Sequence, residues 1–443
     1  MSQFLEQFMI LRHYFSAQYL ANKFPNREAL EAWQDKKVKA HLRKVLQQSD
    51  FYKHYYQGCQ LSDWQSFPII DKNLMMAHFD TLNTVKITRE EAFKMALTAE
   101  ETRNFKPMVG HITVGLSSGT SGHRGLFLVS REERLKWAGH ALRALPGSIF
   151  KGHRIAFFLR ANSNLYTSVG SRRIQFQFFD LFKPVDEHII RLNEYQPTVL
   201  VAPPSMLGFI GQAMNAGQLT LKLEKIISVA EVLEPFDRLW LENTYGQNIH
   251  QVYQCTEGFL GSTCQYGTLH LNEDLLVVQK EYLNKSQRKF TPIITDFSRL
   301  AQPIIRYQLN DVLTERQESC PCGSIFTALE FVDGRCDDLF YLPSTQSSKI
   351  IPIFPDAIRK AILQVPVSIH DYQILQLNLN TFSVGLAGKV SLDEEQSFRA
   401  SLTAVCEQHQ CIPPVIQFRP YQQPEVGAKK RRLQRLFAIE AAV

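Results

Sequence analysis

No stretch of the sequence approaches the roughly 20 consecutive apolar residues that a membrane-spanning helix requires. Nor does it open with a basic start, a continuous apolar core and a small-residue cleavage site, so no secretory leader is expected and a cytoplasmic location is. Internal repeats and low-complexity segments are absent. Cysteine is sparse, with eight in 443 residues. That is too few for a disulfide scaffold, and clustered thiols in a reducing compartment read as metal ligands. An excess of one charge is also lacking: 49 Lys and Arg against 43 Asp and Glu leave a formal charge of +6. Lys429, Lys430, Arg431, Arg432 and Arg435 supply five of those charges, so the body is nearly neutral. A nucleic-acid footprint spread over one face is excluded.

What is present is ordinary for a folded protein, with 44% hydrophobic and 21% charged residues. The length allows two or three domains. Phe4, Phe8, Leu11 and Phe15 recur at helical spacing and predict an N-terminal helix packing through that face. Residues 28–56 predict one or two further helices, with Leu30, Trp33, Leu42, Val45 and Leu46 as their apolar face. From about residue 111, short β-branched or aromatic runs alternate with helix-length segments. The strand candidates are Ile112 to Leu116, Arg154 to Leu159, Thr198 to Val201, Ile226 to Val229 and Val252 to Tyr253. This alternation predicts an α/β domain with a mostly parallel sheet, followed by a β-rich zone from Leu275 to Val312. Beyond it, Tyr372 to Asn378 and Phe382 to Leu386 alternate around a hairpin, Ser391 to Gln408 reads as a helix, and Val415 to Phe418 as a strand. The expected division is a large domain over residues 1–337 and a small α+β domain over 338–443.

The chemistry concentrates in a few segments. Leu116 to Gly125 contains Ser117, Ser118, Gly119, Thr120, Ser121 and Gly122 directly after a strand. Such a loop can turn successive N–H groups and hydroxyls toward a polyphosphate. It lacks the Gly-Lys-Ser/Thr ending of a Walker loop. Gly115 to Gly119 also fits the G-x-S-x-G pattern of serine hydrolases, with Ser117 as nucleophile, but no helix follows immediately as a nucleophile elbow needs. Thr256 and Glu257 follow a strand, where open α/β sheets bind ligands. Cys264 and His270, with Cys320 and Cys322 in Cys-Pro-Cys-Gly, offer three thiolates and one imidazole, which is a closed tetrahedral zinc set. The alternative is four residues together by accident. Cys59, Cys255, Cys336, Cys406 and Cys411 read as buried, unligated thiols.

Taken in order, these segments resemble the adenylate-forming enzymes, in the branch of the phenylacetate–coenzyme A ligases and related deazaflavin-cofactor adenylyltransferases. Phe67-Pro68-Ile69-Ile70-Asp71-Lys72 resembles that branch's early Leu-Pro-x-x-x-Lys segment. Ser117 to Gly122 resembles its phosphate loop, Ala230-Glu231 its adenine loop, and Tyr253 to Glu257 its Tyr-Gly-x-Thr-Glu motif. Arg306 to Asp311 and Gly334 to Asp338 resemble its ribose and hinge motifs, and Gly427 to Arg432 its Gly-Lys-x-x-Arg ending.

The resemblance implies that a carboxylic acid, aromatic or planar, attacks the α-phosphate of ATP, releasing pyrophosphate. A thiol of coenzyme A or of carrier-protein phosphopantetheine then takes the acyl group. It implies that Ser117 to Gly122 hold the β- and γ-phosphates, Thr256 donates to the α-phosphate and Glu257 holds magnesium. Asp311 would accept from the ribose, and Arg335 would belong to the ATP site. Ala230, Glu231, Tyr253 and Gln254 would line the adenine. The small domain would rotate about a hinge at Asp337 and bring in a lysine, Lys429 with Lys430 in reserve. Cys-x-Cys-Gly at this place also recurs in the branch, and a homodimer is common there. Gln254 departs from the usual glycine, and His123-Arg124 from the usual Lys and Pro. Three further readings stay open: adenylyl transfer to a hydroxyl of a cofactor, a non-catalytic nucleotide-binding protein on the same fold, and the serine hydrolase.

Overall fold

The computed structural model describes residues 3–104, 107–117, 124–363, 365, 369–423 and 430–437. They form two compact units. The first comprises Met1–Ala230, Thr244–Leu309 and Thr314–Phe331, and the second Glu231–Asn243, Asn310–Leu313 and Val332–Val443.

The first unit is built on a large mixed sheet. Its parallel part runs Ile174–Asp180, His153–Leu159, Val199–Ala202, Lys225–Ser228 and Ile249–Cys255, with Ile155 opposite Val199 and Ile226 opposite Ile249. Helices Val185–Tyr195 and Pro204–Asn215 make crossovers of the kind that parallel strands require. All of Val199–Ala202 is buried, as expected for a strand covered on both faces. Beyond Ile249–Cys255 the sheet turns antiparallel, through Gly258–Thr263 and Leu269–Leu271. The β-rich zone therefore extends the same sheet.

Two expectations are corrected. Ile112–Leu116 does not join the parallel strands: it is the middle strand of a separate antiparallel sheet with Met108–Val109 and Leu126–Val129. Only residues 117–125 separate it from the next strand, too few for a crossover helix, so the pair closes as a hairpin. The N-terminal helix, Gln3–Ala21, forms, but it buries Ile10, Tyr14 and Ala17, while Phe4, Phe8 and Phe15 stay exposed. Ile10 and Tyr14 pack with Leu135 and Ala138 of the helix Arg131–Ala141 in one cluster. Apolar residues recur at helical spacing on both sides of this helix, so periodicity alone could not choose the packed one.

The second unit is α+β. Its sheet runs Val415–Pro420, Thr381–Ala387, Asp371–Asn378 and Leu433–Arg435. Asp371–Asn378 and Thr381–Ala387 are the expected antiparallel hairpin. Helix Leu392–Gln408 starts at a capping box between Ser391 and Glu394 and buries Phe398, Leu402 and Val405 against Ile374, Phe382 and Val384. Leu433–Arg435 pairs parallel to Asp371–Asn378, with Leu433 opposite Ile374, so part of the terminal basic run is a strand. Among the described residues, no helix is long and apolar enough to cross a membrane.

Candidate active site and metal centre

In the first unit, strand Ile249–Cys255 delivers Thr256 and Glu257 at its carboxyl end. Glu257 is 8% exposed, and both of its oxygens are engaged: Thr256 Oγ1 donates to Oε2 at 2.7 Å and the Tyr307 hydroxyl to Oε1 at 3.0 Å. Burial and the Glu257 charge push the Tyr307 hydroxyl far above its ordinary range, so it serves as a donor. Two of four carboxylate lone-pair directions are thereby used, leaving oxygen capacity for a hard cation. The Thr256 carbonyl accepts from Arg299 Nη1 at 2.8 Å, and Arg299 Nη2 donates to the Leu128 carbonyl at 3.2 Å. Arg299 thus ties the Thr-Glu turn to the strand that leaves the Ser/Thr/Gly loop.

Ser118 to Gly122 lie outside the described residues, but the neck of their loop is defined. Ser117 N–H donates to the Gly125 carbonyl at 2.8 Å, and Gly125 N–H to Ser117 Oγ at 2.7 Å. Lys72 stands beside this neck: a Cβ placed on Gly125 would lie 3.6 Å from Ser117 Oγ and 3.8 Å from Lys72 Nζ. The sequence pattern marks the segment ending at Lys72 but assigns the lysine no role. Its signal was a lone basic residue after Pro68-Ile69-Ile70-Asp71.

Ala230 closes the first unit with φ of +66°, a left-handed conformation that costs a non-glycine residue and is held only where the surroundings fix it. Gln254 is fixed by Trp137, whose Nε1 donates to Gln254 Oε1 at 3.1 Å. Trp137 meets Tyr166 edge-on at 5.7 Å, and Tyr166 meets Phe157 at 4.9 Å. This aromatic wall beside Tyr253-Gln254 draws its members from three separate elements, of which the sequence pattern marks Tyr166 alone as an aromatic near the motif segments.

Glu231, Asp311, Arg335 and Asp337 fall in the second unit. Asn310 Nδ2 donates to Asp337 Oδ2 at 2.7 Å, and the Cys336 N–H to the Asn310 carbonyl at 2.9 Å, so the segments bearing Asp311 and Asp337 are joined. Burial, with the Asp311 and Asp337 charges, pushes the intervening Cys336 thiol up to about 12. Lys429 lies outside the described residues. Lys430 does not: its N–H lies 3.4 Å from Glu231 Oε1, and its Nζ lies 2.7 Å from Asp371 Oδ2.

The metal candidates converge in the first unit. One ligand atom from each of Cys264, His270, Cys320 and Cys322 fits within 4.8 Å of all the others. Two turns present the thiols. The Gly267 N–H bonds back to Cys264 O at 3.0 Å and the Gly323 N–H to Cys320 O at 3.1 Å, each glycine having the positive φ (+77° and +73°) that closes such a turn without strain. Cys264 Sγ lies 3.6 Å from Cys320 Sγ, and Cys322 Sγ 3.4 Å from His270 Nε2. His270 Nδ1 stands 3.0 Å from the Phe326 carbonyl, which places the ring proton there and aims the Nε2 lone pair at the thiols. Soft sulfur with one imidazole, four ligand atoms in all, suits zinc. Cys406 and Cys411 are buried as expected; Cys59 is exposed, a correction that follows from its place beside Gly58 in a surface turn after the helix Asp50–Tyr55.

No protein-family profile and no curated sequence matches the chain. Solved structures do. A 2-hydroxyisobutyryl-CoA ligase, in the postadenylation state with 2-HIB-AMP, superposes with a TM-score of 0.68 at 16% identity, over 93% of this chain and 94% of that one. The acyl acid amido synthetase AtGH3.15 in complex with 2,4-DB gives 0.59 at 12% identity, over 89% and 85%. An anthranilate CoA ligase in complex with anthranoyl-AMP gives 0.52 at 11%, over 71% and 65%. The chain has the fold of the adenylate-forming enzymes. On that fold the Thr256-Glu257 turn stands at the carboxyl end of a sheet strand, where α/β sheets take ligands. At these identities the likeness concerns fold, and function has to be argued from the site.

Proposed function

We propose that the protein activates a small carboxylic acid, aromatic or planar, with ATP, forming an acyl-adenylate and pyrophosphate, and then passes the acyl group to a thiol of coenzyme A or of a carrier protein. The observation that carries this reading is the buried Glu257 carboxylate, bonded by Thr256 and Tyr307 at a strand's carboxyl end on an adenylate-forming fold.

In this reading residues 1–337 bind ATP and the acid, and residues 338–443 form a small domain that moves about Asp337. Ser117 to Gly122 hold the β- and γ-phosphates with Lys72 beside them; Ala230, Glu231, Tyr253 and Gln254 line the adenine; Asp311 and Arg335 serve the ribose end. Thr256 orients the α-phosphate. A magnesium ion held by Glu257 would supply the charge neutralisation that phosphoryl chemistry needs. The protein's own task is to hold the acid oxygen in line with phosphorus and to meet the developing charge with Lys429. The aromatic side chains Trp137 and Tyr166 support a flat acid. Cys264, His270, Cys320 and Cys322 take a structural zinc, since four protein ligands leave no open position for catalysis.

The test is ATP–pyrophosphate exchange over aromatic, unsaturated and aliphatic acids with no thiol present. Exchange that depends on one acid class is the expected result, and a second stage offers that acid with thiols and amines. Amines are included because an amido synthetase shares the fold. Exchange with none of the acids, in protein that still binds ATP, would overturn acid activation in favour of adenylyl transfer to a hydroxyl or a non-catalytic role.

A further inference from the structure

The terminal basic run is not one solvated charge patch: the structure pairs its members with carboxylates of the second unit. Lys430 Nζ pairs with Asp371, and Arg431 with Asp338. Arg432 is 3% exposed and sits among three carboxylates. Its Nε donates to Asp371 Oδ1 at 2.7 Å, Nη1 to Glu234 Oε2 at 3.1 Å, and Nη2 to Asp237 Oδ1 at 2.7 Å. The remaining capacity of those acids is also used. Glu234 faces Arg359 Nε at 3.2 Å and accepts from the Tyr372 hydroxyl at 3.0 Å, and Asp371 accepts from the Tyr421 hydroxyl at 2.6 Å. Burial alone would raise the Glu234 and Asp371 carboxyls; Arg359 and Arg432 outweigh it at Glu234, and Arg432 and Lys430 at Asp371, so both lie below the usual range.

The cluster balances, with Glu234, Asp237 and Asp371 against Arg359, Lys430 and Arg432. It joins three pieces of chain far apart in sequence: the segment Glu231–Asn243, the strand Asp371–Asn378, and the segment leading into Leu433–Arg435. A planar guanidinium spreads five N–H donors over a fixed fork and so meets three carboxylates in one plane, a geometry that the compact ammonium of a lysine does not reproduce and an apolar side chain cannot supply. Buried ion networks add little stability over a well-packed apolar replacement, and their best-attested use is to select one arrangement. Here the arrangement selected seats the Lys430 backbone against Glu231, the residue that follows Ala230. Lys429 is the next residue back along the chain.

We propose that Arg432 is a positioning residue whose carboxylate cage fixes the lysine end of the chain against the Glu231–Asp237 segment, so that acid activation depends on it and acyl transfer does not. This rests on the acid-activation reading above. A lysine that meets charge developing at the α-phosphate matters while that bond forms, and has no such task once the acyl-adenylate exists.

The experiment compares wild type, Arg432→Met and Arg432→Met/Asp237→Asn. The single variant leaves a buried carboxylate uncompensated and is expected to unfold at lower temperature. The double variant restores charge balance, with Glu234 facing Arg359 and Asp371 facing Lys430. The double variant is expected to recover most of the thermal stability while its ATP–pyrophosphate exchange stays at least about tenfold below wild type, in kcat more than in KM for ATP. Acyl transfer to a thiol from chemically prepared acyl-adenylate stays within about threefold of wild type. Recovery of exchange together with stability, or an equal fall in acyl transfer, would overturn the proposal. Backbone hydrogen exchange at residues 231–234 and 430–433 reads the cage without any assay of activity. Protection lost in both segments of the double variant is expected, and protection unchanged in both overturns the positioning role. Wild-type protein that exchanges pyrophosphate with no acid would instead remove the acid-activation reading, with the fixing of the two segments still decided by hydrogen exchange.

Discussion

Lys430 Nζ lies 2.7 Å from Asp371 Oδ2, with Asp237 Oδ1 a further contact at 4.0 Å. An ammonium held this way has to leave a carboxylate before it can meet a phosphate. That separates the two adjacent lysines. Lys429→Ala is expected to lower ATP–pyrophosphate exchange by at least about 100-fold, the loss typical when a charge acting in the transition state is removed. Lys430→Ala should cost less than about tenfold and act partly through the melting temperature. The opposite ranking would move the catalytic assignment one residue along.

Glu257 offers a graded test. Glu257→Gln keeps the shape but removes the charge, and is expected to raise the magnesium concentration needed for half-maximal exchange and to lower the maximal rate about 100-fold or more. Tyr307→Phe removes one hydrogen bond to a charged group, worth about 1.5–3 kcal/mol, so a loss of about 10- to 100-fold is expected. A Tyr307→Phe variant as inactive as Glu257→Gln would mean that the tyrosine does more than hold the carboxylate. A magnesium titration of each variant separates the two effects.

Much of the fold was legible because local patterns carried it. The apolar runs at Arg154 to Leu159 and Ile226 to Val229 correspond to the strands His153–Leu159 and Lys225–Ser228, and the alternation after Tyr372 marks a real hairpin. The strand Ile112–Leu116 was located correctly but put in the wrong sheet, because sheet membership depends on the connection that follows and not on the strand's own residues. The packed face of the first helix was misread because Phe4, Phe8 and Phe15 are as apolar as Ile10 and Tyr14. Of the site, motif-bearing segments were visible, whereas Arg299, Trp137 and the role of Lys72 were not. Each acts on a partner far off in sequence: the Thr256 carbonyl, the Gln254 amide and the neck at Ser117 and Gly125. The four metal candidates could be named from residue type, but only folding brings Cys264 to within 3.6 Å of Cys320.

Two histidines set an expected acid sensitivity. Burial, with Lys136 and Lys44 nearby, lowers His41 from 6.5 to about 4. Burial, with His140, Lys136 and Arg12, lowers His13 to about 4 as well. Both rings are neutral in the folded chain at pH 5, whereas unfolded histidines would be mostly protonated there. The unfolded state therefore binds more protons between about pH 6.5 and 4, and stability rises with pH across that window. The melting temperature should fall as pH drops from 6.5 to 4 and lose this dependence below about 4. His41→Leu should flatten the profile, and an unchanged slope in that variant would assign the sensitivity to other groups.

The cluster of Cys264, His270, Cys320 and Cys322 predicts one zinc ion per chain, measurable by elemental analysis of protein purified without added chelator. Zinc requires thiolates, and burial, with the neighbouring Cys320 and Cys264 thiols, pushes the Cys322 thiol up to about 12 in the metal-free arrangement, so loading an apo sample should release protons. With no open coordination position, the ion is expected to affect stability before chemistry. Chelation or Cys264→Ser should lower the melting temperature by several degrees while exchange activity, assayed well below the new melting point, changes by less than about threefold. A large loss of exchange with little loss of stability would place the ion in the reaction and contradict a closed site. Zinc-free protein with full stability would leave the four side chains as an unligated cluster, held by the His270 to Phe326 hydrogen bond and by the Cys264–Cys320 and Cys322–His270 contacts.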